Sequence, residues 1–316
     1  MILRIICIKI AGNYEKNNGV SDQTKLFQKI QMCFFAIAFL VNLSFTSPNA
    51  NIDYLDSSEK SITAMTYNIR FDIPGDENYN WDERRNMISQ TISSNSPDVM
   101  GVQEAYYNQI KWLEDELKVY EWYAVGGEDG EFRGEYCAIF FQKEKYELLD
   151  SGTYWLAEDD AKPGSLAWDS EEPSVMTCVK LKMKSNGETI FVFNTRLGET
   201  DKAKIEGSKK LLEKIGEIAK NNSFILTGDF NSEPEHKSIQ LIKEHCKEAK
   251  ASCFINASDL DYTLIFDDNG NKVHKRQDYV FFSDNFPVNS YEVLNNTFNK
   301  KYPSDHLPVL CRLRLP

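Results

Sequence analysis

SFILTGDFNSEP, residues 223–234, carries a short apolar run and then stops on Gly228 and Asp229, with Asn231 two places on. A run of this length, rich in β-forming residues and closed by turn residues, reads as a buried strand that delivers polar side chains at its end. The same form recurs along the chain in SITAMTYNI (61–69), DVMGVQE (98–104), YCAIFFQ (136–142), VMTCVKLKM (175–183), TIFVFNT (189–195), DYVFFS (278–283) and PVLCRLRL (308–315). Two segments between them have helical spacing. WDERRNMISQTISS (81–94) sets Met87, Ile88, Thr91 and Ile92 on one face, and KAKIEGSKKLLEKIGEIAK (202–220) sets Ile205, Leu212, Ile215 and Ala219 together, with a solvated face of lysines and glutamates opposite. Many strands with a few amphipathic helices give an α/β protein in which two sheets pack face to face under outer helices. With no repeat and no Gly/Ser/Pro linker after residue 60, residues 61–316 form one domain.

Residues 1–50 read as an N-terminal extension. MCFFAIAFLV (32–41) is ten apolar residues long, with Lys25 and Lys29 before it and TSPNA (46–50) after it. That is short of the roughly 20 residues of a membrane span and matches a signal-peptide apolar region, so the chain is expected to be exported, periplasmic or secreted, or held by an N-terminal anchor. The formal net charge is −12, and without residues 1–50 it becomes −15. A surface of this sign repels a phosphate backbone and disfavours nucleic acid as a partner. Five cysteines lie beyond residue 50: Cys137, Cys178, Cys246, Cys253 and Cys311. Their spacing excludes a zinc knuckle, and Cys246 and Cys253 are close enough in sequence for a local disulfide in an oxidising compartment.

The strand ends carry the chemistry. Asn68 ends TYN, Glu104 ends GVQE, Asp229 and Asn231 end TGDFN, Asp278 opens DYVFF, and Asp305 and His306 sit in YPSDHLPV. Singly, each is an ordinary cap or turn residue. Together, acids at the ends of several buried strands repel one another unless a cation sits among them. Oxygen donors without cysteine point to a hard divalent ion, Mg²⁺, Mn²⁺ or Ca²⁺, rather than zinc, with Mg²⁺ or Mn²⁺ the expected cofactor. A histidine with an aspartate to orient it is a general-base arrangement, and metal, base and amides together suit phosphoester hydrolysis.

The ordered set TYNIR, GVQE, GEYCAIFF, FNTR, LTGDFN, DYVFF and SDHLPV resembles the endonuclease/exonuclease/phosphatase superfamily, DNase I-like, and is nearest to its exported bacterial members. The resemblance covers residues 61–314 and implies a four-layer α/β sandwich of two mostly antiparallel sheets. It implies a metal site at Asn68, Glu104 and Asp305, a general base at His306 oriented by Asp278, and positioning of nucleophile and phosphate by Asp229 and Asn231. It also implies that Glu135 pairs with a second catalytic histidine. At that position most relatives read Asn-Thr-His; here NTRLGE (194–199) carries Arg196. Arginine can pair with Glu135 and hold a phosphate, but it cannot donate a proton.

Three readings follow: a working metal-dependent phosphoesterase, a weakened phosphoester-binding module, or a buried structural network. The expected substrate is a small phosphodiester, a sugar phosphate or a lipid headgroup, acted on by a monomer. Tyr154, Trp155 and Trp168 in TYWLAEDDAKPGSLAWD (153–169), read as loop-like, are candidates for a stacking wall. YTLIFDDNGNKVHKRQ (262–277) reads as a hairpin whose His274, Lys275 and Arg276 are solvated turn residues or a second phosphate contact.

Overall fold

The computed structural model describes residues 61–75, 80–166, 168–253, 257–267, 270–283 and 286–315. The expected signal or anchor segment lies outside them. Every strand proposed from the sequence is present: β1 (Ser61–Asn68), β2 (Val99–Ala105), β4 (Tyr136–Gln142), β6 (Val175–Met183), β7 (Thr189–Arg196), β8 (Phe224–Asp229), β12 (Asp278–Phe282) and β14 (Val309–Arg314). Further strands are β3 (Tyr120–Tyr123), β5 (Tyr146–Trp155), β9 (Lys247–Glu248), the hairpin β10 (Leu264–Phe266) and β11 (Lys272–Lys275), and β13 (Val288–Val293). The helices are α1 (Trp81–Asn95), α2 (Tyr107–Glu116), α3 (Asp201–Ala219), α4 (Lys237–Lys243) and the single turn α5 (Ala249–Ser252).

One sheet has the order β13-β14-β1-β2-β4-β3 and the other β5-β6-β7-β8-β12-β9. Each is antiparallel except for one central parallel pair, β1 with β2 and β7 with β8, joined across α1 and α3 respectively. Strand alternation builds the layers. Ile62, Ala64, Val99, Ile139, Val192, Ile225 and Val280 face inward and meet in one inter-sheet core. Met65, Tyr67, Met100 and Phe140 face outward beneath Trp81, Ile88 and Ile92 of α1 and Ile110 and Leu113 of α2. Phe193, Leu226 and Phe281 do the same beneath Leu211 and Ile215 of α3 and Ile239 and Ile242 of α4. This is the four-layer α/β sandwich expected.

The inner layer changes polarity along its length. Past the apolar residues come Thr66, Gln103, Asn194 and Thr227, all fully buried and linked in one hydrogen-bonded chain that crosses between the sheets at Gln103–Asn194. Asn194 also donates to the carbonyls of Val102 and Ala138. A side chain at Gly101 would sit 2.1 Å from Thr227 Oγ1 and 2.4 Å from Asn194 Oδ1, so only glycine lets the sheets close around this network. One step further, the same inward positions are Asn68, Arg196, Asp229 and Asp278. The site is therefore the charged end of a layer that begins as hydrocarbon.

Several expectations are corrected. Cys246 and Cys253 do not form a disulfide, and none of the five described cysteines does. Cys246 packs in the layer beneath α3 and α4, whereas Cys253 belongs to the inter-sheet core, so they point to opposite faces of a sheet. The buried stripe of α3 is Ala203, Gly207, Ser208, Leu211, Ile215 and Ala219, rotated from the one expected, with Ile205 and Leu212 only half-buried on its flank. Small residues set that face because α3 lies close to the sheet end; Gly207 comes within 3.3 Å of Leu197 at the Cβ position. Tyr154 and Trp155 belong to β5, and Trp155 is buried with its indole N–H on the Gly127 carbonyl at 2.6 Å. Only Trp168 remains on a loop, half-buried, so there is no shared stacking wall. Arg276 is buried against Glu248 at 3.2 Å and Asp261 at 3.3 Å, which removes it as a solvated turn residue.

Candidate active site

Strand register brings three charged residues side by side. Arg196 lies opposite Asp229 in the parallel pair β7–β8, and Asp229 lies opposite Asp278 in the antiparallel pair β8–β12. Asn68, at the end of β1 in the other sheet, donates from Nδ2 to Asp229 Oδ2 at 2.9 Å and so ties the sheets together. Glu104 follows the inward-facing Gln103, so alternation alone would turn it outward. Its φ of 61° and the register shift between β2 and β4 at Val102–Ala105 redirect it into the site. Asn231 is also left-handed, with φ 49°. Its N–H donates to Asp229 Oδ1 at 2.9 Å and its Nδ2 to the Leu197 carbonyl at 2.7 Å, which fixes the turn after β8.

The segment carrying Asp305 and His306 is held by the β10–β11 hairpin. Ile265 N–H donates to the Asp305 carbonyl at 2.9 Å, and Leu307 N–H to the Thr263 carbonyl at 2.7 Å. Thr263 Oγ1 accepts from the N–H groups of Gln277 and Asp278, both at 3.0 Å. One threonine thus positions both partners of the next contact, His306 Nδ1 to Asp278 Oδ2 at 2.8 Å. That bond leaves Nε2 as the ring's other face.

Glu104, Asp229 and His306 bring ligand atoms within 4.8 Å of one another, all buried. Arg196 reaches Glu104 Oε1 through Nε at 2.9 Å, Glu199 at 3.4 Å, Glu135 at 3.7 Å and Asp229 at 3.9 Å. Asp305 is ion-paired with Arg70 and accepts from Ser304 Oγ at 3.1 Å. Beside Arg196 a cleft of about 530 Å³ is lined by Phe71, Glu135, Glu172, Gly198, Glu199 and Thr200, among others.

The electrostatics follow from burial and crowding. Burial, with Asp278 adding, pushes the Asp229 carboxyl up to about 6 against the pull of His306 and Arg196. Burial lifts Glu135 to about 7, opposed by Arg196 and helped by Glu104 and Glu172. Asp305 is raised by burial too. Glu104 goes the other way: burial favours its neutral form, but Arg196, His306 and the Asn68 amide outweigh it. Burial likewise disfavours charge on His306, yet Asp278, Asp229 and Asp305 hold it up to about 10. Arg196 stays cationic among Glu135, Glu104, Asp229 and Glu199.

This donor set fits a hard divalent cation. Its nearest atoms are the carboxylate oxygens of Glu104 and Asp229, with His306 beside them; burial and neighbouring acids raise Asp229, and Asp278 Oδ1 is buried without a partner. Glu104 and Asp229 are the nearest ligands. Asn68 Oδ1 accepts from Arg70 N–H at 2.9 Å, and Asp305 is engaged by Arg70, so both sit behind Glu104 as supports in this arrangement.

The candidate site residues Asn68, Glu104, Glu135, Arg196, Asp229, Asn231, Asp278, Asp305 and His306 lie at this one end of the sandwich. The sequence reading missed the supports. Arg70 grips Asp305. Arg84 of α1, fully buried over the Trp81 ring, donates to the carbonyls of Ile69, Arg70 and Phe71 and pins the loop after β1. Gln109 of α2 holds the same loop through Asp72 N–H and the Arg70 carbonyl. Arg84 sits among charged neighbours in DERR, and its one distinguishing signal is its place four residues before Ile88 on the apolar face of α1.

A family model for the Endonuclease/Exonuclease/phosphatase family matches residues 65–306. The chain belongs to that family, whose members are hydrolases. Among solved structures, an endonuclease/exonuclease/phosphatase family protein from Bacteroides thetaiotaomicron is 29% identical at a TM-score of 0.76, with 81% of this chain and 98% of that one covered. A mannosyl-6-phosphatase from the same organism is 30% identical at a TM-score of 0.75, covering 80% and 99%. Nocturnin of Drosophila melanogaster is 24% identical over 293 residues; the match takes in 76% of this chain and 43% of nocturnin's length.

Proposed function

We propose that the protein is a divalent-metal-dependent phosphoester hydrolase acting on a small phosphorylated molecule, with a phosphorylated sugar as the first candidate. The observation that carries this reading is the buried Asp278–His306 pair at 2.8 Å, set beside Glu104 and Asp229. Asp278 accepts from Nδ1 and fixes the ring, so Nε2 faces the reacting phosphate and can take or return a proton. Asn231 and Arg196 flank the same position and can hold phosphoryl oxygens, Arg196 through two parallel N–H groups. Mg²⁺ or Mn²⁺ held by Glu104 and Asp229, with Asn68 and Asp305 behind them, would neutralise charge on the phosphoryl oxygens and relieve the negative field that keeps His306 protonated.

The choice of a small substrate is supported by the acidic cleft beside Arg196, where Glu135, Glu172 and Glu199 oppose a long polyanion. The likeness to a mannosyl-6-phosphatase supports a sugar phosphate. The apolar run at residues 32–41 supports export.

The test is hydrolysis with Mg²⁺ of hexose 6-phosphates and of a bis-aryl phosphodiester, side by side. His306→Ala is expected to lower kcat by roughly 10²–10⁴. No metal-dependent turnover of any phosphoester would sink the proposal. A second reading, a binding module with slow turnover, is favoured by Arg196, which supplies charge without a transferable proton. Arg196→His separates the two: a rise in kcat marks a weakened enzyme, whereas a fall marks Arg196 as suited to its own substrate.

A further inference from the structure

Arg196 has more partners than a phosphate-binding arginine needs before phosphate arrives. Its Nε bonds Glu104 at 2.9 Å, the same oxygen set that a metal would use, and the guanidinium lies within 4 Å of Glu135, Glu199 and Asp229 as well. Four carboxylates thus share one fixed positive charge. Three of them are largely shielded from water; of the other described cations, His306 is committed to Asp278, and half-buried Lys204 stands near Asp229 and Glu199 rather than Glu104. The guanidinium does for Glu104 what a bound ion would do: it occupies a lone pair and removes part of the field that attracts a cation.

We propose that Arg196 is a resident counter-cation that a divalent metal must displace from Glu104. It therefore sets the metal affinity of the site and turns toward the cleft as metal loads. Glu135 and Glu199 are the partners that receive it. Both line the cleft with Arg196, and Glu199 is exposed, so the swing needs no new buried charge. Metal and guanidinium are then arranged in sequence: the ion takes Glu104, and the freed N–H groups meet the phosphate from the cleft side. A histidine at this position, neutral at need and shorter, would leave Glu104 open to metal from the start. The departure from the family pattern at residue 196 thus becomes a change in how the metal is admitted.

This rests on the metal-dependent reading above, and the experiment separates the two. Mn²⁺ and Mg²⁺ are titrated calorimetrically, without substrate, into the wild type, Arg196→Met and Glu104→Gln, with far-UV circular dichroism to confirm folding. Removing one charge-assisted hydrogen bond from Glu104 is expected to tighten metal binding in Arg196→Met by roughly tenfold or more. Glu104→Gln is expected to abolish it. Equal or weaker binding by Arg196→Met, with the wild type binding normally, overturns the counter-cation role alone. Absence of binding in every variant overturns the metal reading and this one with it. Should Arg196→Met fail to fold, the wild type decides: in protein labelled with ¹⁵N at arginine Nε, saturating Mg²⁺ is expected to shift the Arg196 Nε–H signal, identified by its loss in Arg196→Lys. An unmoved signal at saturation overturns the proposal.

Discussion

At the scale of single residues, the site is a set of charges that the fold holds against their preference. Asp229 and Glu135 hold protons up to about 6 and about 7, whereas an unfolded chain releases them near 4. Their folded values are raised, so the stability linked to them is complete below the unfolded values and is lost as pH climbs through 6 and 7. A divalent ion at Glu104 and Asp229 needs Asp229 ionised and offsets the negative field that Glu135 shares. The rise in melting temperature given by 5 mM Mg²⁺ is therefore expected to be small at pH 5 and larger at pH 8; differential scanning fluorimetry at the two pH values checks it. An equal rise at both would mean that the ion binds elsewhere. The identities of Glu104, Asp229, Asp278 and His306 were legible in the sequence because each borders an apolar run, the first two at its close and the last two at its start. Arg70, Arg84 and Thr263 were not, because a charged or hydroxyl residue on a turn or helix carries no mark of burial until its partners are in place.

At the scale of elements, strands were easier to read than the helix face. β1, β2, β7, β8 and β12 are central, buried on both sides, and show as near-continuous apolar runs. β5 lies at a sheet edge, and its sequence YELLDSGTYW mixes charge, serine and glycine, so it read partly as loop. In α3 the error came from ranking positions by hydrophobicity. The helix packs close to Leu197, and close approach selects Gly207 and Ser208 over Ile205 and Leu212. A paired substitution measures this: Leu211→Ala should cost about 2–5 kcal/mol of unfolding free energy, as for a fully buried leucine. Leu212→Ala should cost clearly less. Urea denaturation of both checks the order, and a larger loss at Leu212 would contradict the packing described.

At the scale of the whole molecule, the two sheets are alike in plan. Each has a central parallel pair joined through one helix, and the site forms where the ends of the two pairs meet. β14 lies between β13 and β1, with Ser61 opposite Arg314. The sheet β13-β14-β1-β2-β4-β3 therefore has a gap until residues 309–314 are in place. A chain stopped after His306 keeps every candidate site residue, yet is expected to lose cooperative unfolding and its metal-dependent stabilisation. Thermal melts monitored by circular dichroism with and without Mg²⁺ test this, and a cooperative, metal-responsive melt would show that β14 is dispensable. Membership of the family was legible from the motif order because each motif is the end of a strand; the substrate was not, because the cleft walls are loops whose sequence obeys no period.

The described cysteines carry a practical consequence. All five are buried thiols, and enclosure pushes Cys178 and Cys311 up to about 12, far from the reactive thiolate. An alkylating reagent in solution reaches them only when the interior opens; Cys253 and Cys311 lie in the inter-sheet core, Cys178 and Cys246 in the layer under α3 and α4, and Cys137 beside Trp155 and Val175. The rate at which each is modified, read by mass spectrometry, clocks the opening of its own layer and shows whether the inter-sheet core and the layer under α3 and α4 open together or in turn.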